Sequence, residues 1–180
     1  MRKIGGISMT NQVSELSAKL FNKSPAEMSE QESDLLIEQY KLYVEMMDKV
    51  SERRHQANSF FLTVNTIVVT ALTGFISLTQ EFSISYSWVI VPALAGVIFC
   101  LSWRRLIQSY GQLNSGKFKI IHLLETRLPA RPFDAEWDAL HHGDGTVYKP
   151  FTRTEINVPL VFVGMYVVLA LFAILVTILG

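Results

Sequence analysis

Three long stretches of the chain contain no charged residue. They run from Gln56 to Gln80, from Phe82 to Trp103 and from Ile156 to Gly180. Each is at or above the roughly 20 residues that an α-helix needs to cross a bilayer. A soluble helix of this length would carry charges on its outer face. The pattern therefore predicts three transmembrane helices and an integral membrane protein.

Six hydroxyl side chains interrupt the first stretch at steps of four and three, the spacing that keeps residues on one helix face. This hydroxyl stripe consists of Ser59, Thr63, Thr66, Thr70, Thr73 and Ser77. Two interpretations stay open. In the simpler one, the hydroxyls bond to carbonyls one turn earlier and let helices pack closely; in the other, they line a water-filled pore. Asn65 lies off the stripe, where a buried amide needs a partner and predicts a helix interface.

Basic residues predict the orientation. Eight lysines and arginines precede the first span, eight lie between the second and third spans, and none lies in the hairpin or after the third span. Because positive residues stay on the cytoplasmic side, the N-terminus is expected inside and the C-terminus in the periplasm.

The predicted fold class is an all-α integral membrane protein with three transmembrane helices and long helical cytoplasmic extensions. The expected segments are a cytoplasmic region with an amphipathic stalk helix over 1–55, transmembrane helices over 56–80, 87–103 and 158–180, a periplasmic hairpin over 81–86 and a cytoplasmic helical region over 104–157.

The stalk is predicted to begin at one of two capping boxes, Ser24 with Glu27 or Ser29 with Glu32, and to continue into the first span as one helix. It has a wide apolar stripe that must be buried, either by self-association or by docking on the second cytoplasmic region. That region is expected to be helical until Pro129, with Asp134 as the N-cap of a short helix. The candidate cytoplasmic oligomer contacts are Leu36, Tyr40, Tyr43, Met47, Val50, Phe118 and Trp137, and Leu35, Leu42 and Met46 widen the stalk stripe.

Nothing in the sequence indicates an enzyme. His141, His142 and Asp144 occur beside glycines, but a metal site usually needs three or more ligands with defined geometry. No nucleophile elbow, phosphate loop or dinucleotide fingerprint is present. The 16 basic and 16 acidic residues balance, which gives no indication of nucleic-acid binding. We therefore expect no catalytic residue, no metal and no cofactor.

Several motifs resemble the RipA-like octameric membrane proteins of bacteria. They are Arg53 with Ala57–Thr66, Trp103 with Leu113–Phe118, and Leu128-Pro129 with Pro132–Trp137. The resemblance covers most of the chain from residue 35 onward. It implies a homo-octamer in the bacterial inner membrane and a link to virulence through growth inside host cells, without an enzyme activity. A more distant similarity is to SLATT-type proteins, which are proposed as pore-forming effectors.

Two functions are consistent with these features. The first is a membrane scaffold whose cytoplasmic helices drive assembly and recruit partners. The alternative is an oligomeric channel or pore lined by the hydroxyl stripe. The expected partners are the lipid bilayer, further copies of the chain and cytoplasmic or envelope proteins of unknown identity.

Overall fold

A computed structural model describes residues 9–82, 86–148 and 154–179. Over these residues the regular structure is helical, and no strand occurs. The α-helices are α1 (Met9–Leu20), α2 (Glu30–Phe82), α3 (Ile90–Glu125), α4 (Pro132–Ala139) and α5 (Val158–Leu179). Short 3-10 helices occupy Pro25–Glu27, Tyr86–Val89 and His141–Gly143.

Three of these helices, α2, α3 and α5, are long and apolar enough to cross a membrane. The predicted all-α class with three membrane-spanning helices is therefore confirmed. The single helix α2 contains both the predicted stalk and the predicted first span. Residues 83–85 of the predicted hairpin lie outside the described residues.

Both predicted capping boxes are formed before α2. At the start of α2 the backbone N–H of Glu32 donates to Ser29 Oγ at 3.3 Å, and the N–H of Ser29 donates back to Glu32 Oε2 at 2.9 Å. The Ser24 and Glu27 box lies at the preceding 3-10 helix. Hydrogen bonds from Lys23 and then from the Ser29 backbone lower the pKa of Glu32 to about 2.

The chain divides into two compact units. The first unit combines Met1–Lys49 with Leu113–Tyr148, and the second combines Val50–Gln112 with Lys149–Gly180. The first unit thus contains α1, the beginning of α2, the end of α3 and all of α4. The second contains the apolar parts of α2 and α3 together with α5.

The start of α4 differs from the expectation. Its N-cap is Arg131, and Pro132 occupies the first helical position. Proline suits this position because its φ is already helical and its missing N–H would be unpaired there. Asp134 therefore lies inside the first turn, and the prediction that it is the N-cap was wrong.

The core of the second unit brings residues of α2, α3 and α5 together. Its buried members are Val69, Leu72, Val89, Ala93, Cys100, Tyr166 and Ala173. Gly96 belongs to the same contact, since a Cβ built on it would lie 2.5 Å from Cζ of Tyr166. Such a distance is impossible for a real Cβ, so the Tyr166 ring occupies the place of a side chain at Gly96.

Candidate functional site

Asn65 joins three helices inside the second unit. Its side chain is fully buried, and its Nδ2 donates to the carbonyl of Phe61 at 2.8 Å. Its Oδ1 accepts from the Cys100 thiol and from the Tyr166 hydroxyl, each at 3.0 Å. The structure thus places the Asn65 amide at a contact between α2, α3 and α5 of one chain. A buried polar group in an apolar environment needs such partners, because leaving it unpaired is costly.

An aromatic cluster lies next to this centre. Phe61 contacts Phe99 with ring centroids 4.6 Å apart and is stacked on Trp103 at 5.6 Å. Trp103 is 2% exposed, and its Nε1 donates to Asn58 Oδ1 at 2.9 Å. Because the indole N–H has a partner, the ring can be buried without an unpaired donor.

The hydroxyl stripe faces away from this core. All six of its side chains are exposed in the single chain. At about 100° per residue, the stripe lies roughly opposite Val68, Leu72 and Phe75, which pack in the core. The stripe is therefore on the side of α2 that the described residues of its own chain do not cover.

Three of the stripe hydroxyls bond to their own helix. Thr66 Oγ1 donates to the carbonyl of Leu62 and Thr73 Oγ1 to that of Val69, each at 2.8 Å, and Ser77 Oγ donates to the carbonyl of Thr73 at 3.3 Å. Hydroxyls paired in this way need no water and can lie against an apolar neighbour.

In the first unit, part of the stalk stripe docks on the same chain. The Tyr40 hydroxyl donates to Glu125 Oε1 at 3.0 Å, and the Lys117 ammonium lies 4.6 Å from the centre of the Tyr43 ring. Leu36 and Met47 are also buried. Burial and the hydrogen bond to Glu125 raise the pKa of Tyr40 to about 12. Of these four predicted oligomer contacts, Leu36 and Met47 are buried within the single chain, and Tyr40 and Tyr43 are half-buried against residues of the same chain.

The remaining three predicted contacts differ among themselves. The ring of Phe118 lies 6.1 Å from that of Phe133 in the same chain. Trp137 is half-buried, with its ring 6.3 Å from that of His142. Val50 is half-buried and begins the second unit.

Glu125 is a buried carboxylate whose role is not predicted by the sequence pattern. It is fully buried, and besides Tyr40 it accepts from the backbone N–H groups of Phe133 at 2.9 Å and Asp134 at 3.0 Å. These are the unpaired donors of the first turn of α4, so Glu125 caps α4 from the end of α3. A sequence signal existed: a glutamate on the apolar face of a helix, a few residues before a proline-started helix.

A second apolar stripe of α2 in the first unit is uncovered. It consists of Leu35, Leu42 and Met46, which are 58%, 58% and 45% exposed. Their spacing of seven and four places them on one face, and we call them the exposed seam. Ion pairs between Lys41 and Glu38 and between Lys49 and Glu45 lie beside the seam on the helix surface.

His141–Gly143 form a 3-10 helix, and the backbone N–H of Asp144 donates to the carbonyl of His141 at 3.1 Å. Asp144 Oδ1 accepts from the backbone N–H of Thr146 at 2.8 Å and from its hydroxyl at 2.7 Å. The backbone bond is the larger cause of the lowered pKa of Asp144. His142 Nε2 lies 3.4 Å from an Asp138 carboxylate oxygen. Within the described part of the chain, no group of three or more His, Cys, Asp or Glu side chains could hold a metal ion.

The helical architecture and the membrane-spanning segments agree with one known family. The model of the octameric membrane protein family matches residues 37–175. No curated protein and no solved structure is detectably similar to the chain. The matched residues include most of α2, all of α3 and α4 and most of α5. The chain therefore belongs to the octameric membrane protein family.

Proposed function

We propose that this membrane protein is a non-enzymatic scaffold of the bacterial inner membrane. In this proposal the first unit lies in the cytoplasm, where its helices drive assembly and recruit cytoplasmic or envelope proteins. The resemblance noted above extends the proposal to bacterial growth inside host cells. Membership of an octameric membrane family supports self-association within a bilayer.

The exposed seam is the observation that carries the scaffold proposal. Leu36 and Met47 already meet the need of α2 to bury an apolar face within its own chain. Leu35, Leu42 and Met46 add a second face that remains in contact with water in an isolated chain. An apolar stripe on a charged helix is stabilised when another surface covers it. We assign that role to a neighbouring copy of the chain.

The distribution of charge supports the proposed orientation. Basic residues are concentrated before the first span and between the second and third spans, and none follows the third span. By the preference of basic loops for the cytoplasm, we propose a cytoplasmic N-terminus and a periplasmic C-terminus.

Substitution in the seam tests the scaffold proposal. Leu42→Lys places a charge in the proposed contact, and we expect the octamer to dissociate into smaller species in native mass spectrometry of detergent-solubilised protein. Ile37→Lys is the matched control, because Ile37 is 38% exposed on another side of the same helix. We expect the Ile37 variant to stay octameric. An octamer that survives Leu42→Lys as fully as it survives Ile37→Lys would contradict the proposal.

Partner recruitment needs a separate measurement. Cross-linking in intact bacterial membranes followed by purification should recover cytoplasmic or envelope proteins together with the chain. Recovery of further copies of the chain alone would leave assembly intact but would contradict recruitment.

A pore is the second candidate function, because one specific observation favours it. All six hydroxyls of the stripe are exposed and lie opposite the core of their own chain. If α2 helices of a ring turned this face to the central axis, the hydroxyls would surround a polar path without charged rings. The hydrogen bonds of Thr66, Thr73 and Ser77 to their own helix favour packing over this arrangement.

A further inference from the structure

Two pairs of arginines occur at the same end of the second unit. Helices α2 and α3 run antiparallel and contact each other through Asn58 and Trp103. Arg53–Arg54 precede Asn58 by about one turn, and Arg104–Arg105 directly follow Trp103. Both pairs therefore lie near the Asn58 and Trp103 contact, where the apolar stretches of the two helices end.

Acidic residues at this end do not balance the arginines. Glu155 lies 3.7 Å from Arg54 Nε, and both side chains are largely buried. Glu52 accepts a hydrogen bond from Gln56 on the exposed surface of α2. Four arginines thus face two glutamates in the described segments around this contact, and the local charge is positive.

Arg104 carries an unpaired donor. Its side chain is half-buried, and its Nε atom is shielded from solvent without a hydrogen-bond partner among the residues that the structure describes. Leaving a charged donor without an acceptor is unfavourable. Because the Arg104 side chain as a whole is only half-buried, an acceptor from outside the chain can reach its exposed part and stabilise the guanidinium group. A guanidinium group offers a planar fork of donors that matches the oxygens of a phosphate group.

The position along the helix identifies the source of the phosphate. Arg104 is the first charged residue after the apolar stretch 82–103 of a helix long enough to cross a bilayer, which places it at the boundary between the hydrocarbon and the headgroups. Long basic side chains at this depth reach toward lipid headgroups. Basic sites between transmembrane helices are known to favour anionic lipids.

We propose that Arg104 binds the phosphate of an anionic phospholipid, with the exposed Arg53 and Arg105 adding positive charge around the headgroup. The excess of positive charge at this end explains a preference for a lipid with net negative charge over a zwitterionic one. The proposal does not depend on whether the octamer is a scaffold or a pore, since the arginines belong to one chain and none of them is part of the hydroxyl stripe.

Lipid binding to the wild-type octamer provides the first test. Detergent-solubilised protein is titrated with phosphatidylglycerol, or with phosphatidylcholine of the same acyl chains, and native mass spectrometry counts the bound lipids. We expect phosphatidylglycerol to bind about tenfold more tightly and to resist displacement by inorganic phosphate. Equal binding of the two lipids would overturn the proposal, and so would efficient displacement by inorganic phosphate, which would indicate a soluble ligand.

Substitutions test whether Arg104 is the arginine that binds the phosphate of phosphatidylglycerol. Arg104→Gln should weaken phosphatidylglycerol binding about tenfold and leave phosphatidylcholine binding unchanged, while Arg104→Lys should have an intermediate effect because it keeps the charge and loses the fork. Arg131→Gln in the first unit removes the same charge elsewhere and should bind as wild type. Unchanged binding by Arg104→Gln would overturn the assignment. Should that variant fail to assemble, Arg105→Gln supplies the test, with an expected loss of about threefold whose absence would count against the proposal.

Discussion

At the scale of single residues, the packing of the second unit depends on Asn65. Its amide oxygen accepts hydrogen bonds from Cys100 on α3 and Tyr166 on α5, and its amide nitrogen donates to the carbonyl of Phe61 within α2. In an apolar interior these groups find no water when the amide is removed. We expect Asn65→Ala to lower the free energy of unfolding in detergent by about 1–2 kcal/mol, because Tyr166 loses its acceptor.

A double-mutant cycle with Tyr166→Phe isolates this interaction. If the hydroxyl of Tyr166 is stabilised by Asn65, the loss in the double variant should be smaller than the sum of the two single losses. Strict additivity of the two losses would show that the bond between Asn65 and Tyr166 contributes no stability.

Gly96 is the second residue whose substitution has a clear consequence. The ring of Tyr166 lies where a Cβ would be, at 2.5 Å. Gly96→Ala should therefore destabilise the protein by about 1–3 kcal/mol in thermal unfolding, since the helices must separate. Gly116 in the same helix has no atom within 4 Å of its Cβ position. Gly116→Ala should be neutral or stabilising because alanine favours the helix, and a similar loss in both variants would contradict the close contact at Gly96.

At the scale of elements, periodicity predicted the helices and their faces but not the partner of each face. The uncharged stretches predicted the membrane-spanning segments, because twenty apolar residues have few other stable environments. The sequence predicts the stalk stripe as one wide surface. The structure divides that surface into the exposed seam and a set of residues that are covered or paired within the chain, namely Leu36, Tyr40, Tyr43 and Met47. Sequence spacing cannot make that division, because it depends on where α3 lies.

The start of α4 shows the same limit. Asp134 has the residue type of a local N-cap, but the donors of the first turn are accepted by Glu125, eight and nine positions earlier. Such a cap comes from the tertiary fold and leaves only a weak trace in the sequence, namely a glutamate among apolar residues at the end of α3.

Glu125→Gln tests this cap. The glutamine side chain lacks the negative charge that stabilises the N-terminus of α4. Its nitrogen atom also cannot accept a hydrogen bond from a backbone N–H. We expect faster hydrogen exchange at the amides of Phe133 and Asp134, measured by mass spectrometry on the peptide that contains α4. Tyr40→Phe is the control, since it removes one bond to Glu125 and leaves both backbone bonds in place. Equal protection of α4 in Glu125→Gln and in the wild type would refute capping by Glu125.

At the scale of the whole molecule, helix α2 presents two surfaces that no described part of its own chain covers. The exposed seam is apolar and interrupts a charged part of the helix, whereas the hydroxyl stripe is polar and interrupts an apolar part. Each surface differs in polarity from the part of the helix around it. Each is therefore stabilised better by contact with another protein surface than by bulk solvent or lipid. An octamer has eight copies of both surfaces. Whether it is a scaffold or a pore depends on whether the hydroxyl stripe contacts a neighbouring helix or water.

The packing interpretation of the stripe predicts that reagents in water cannot reach its centre. Thr70→Cys in a Cys100→Ser background places one thiol in the middle of the hydroxyl stripe. A membrane-impermeant maleimide is then supplied on both sides of an intact bilayer that contains the octamer. We expect no labelling at position 70, because paired hydroxyls against a neighbouring helix leave no room for water. Gln56→Cys, exposed at the end of the first apolar stretch, should label rapidly and shows that the reagent is active. Rapid labelling at both positions would require a water-filled path along α2, and the pore would then replace the scaffold as the preferred function.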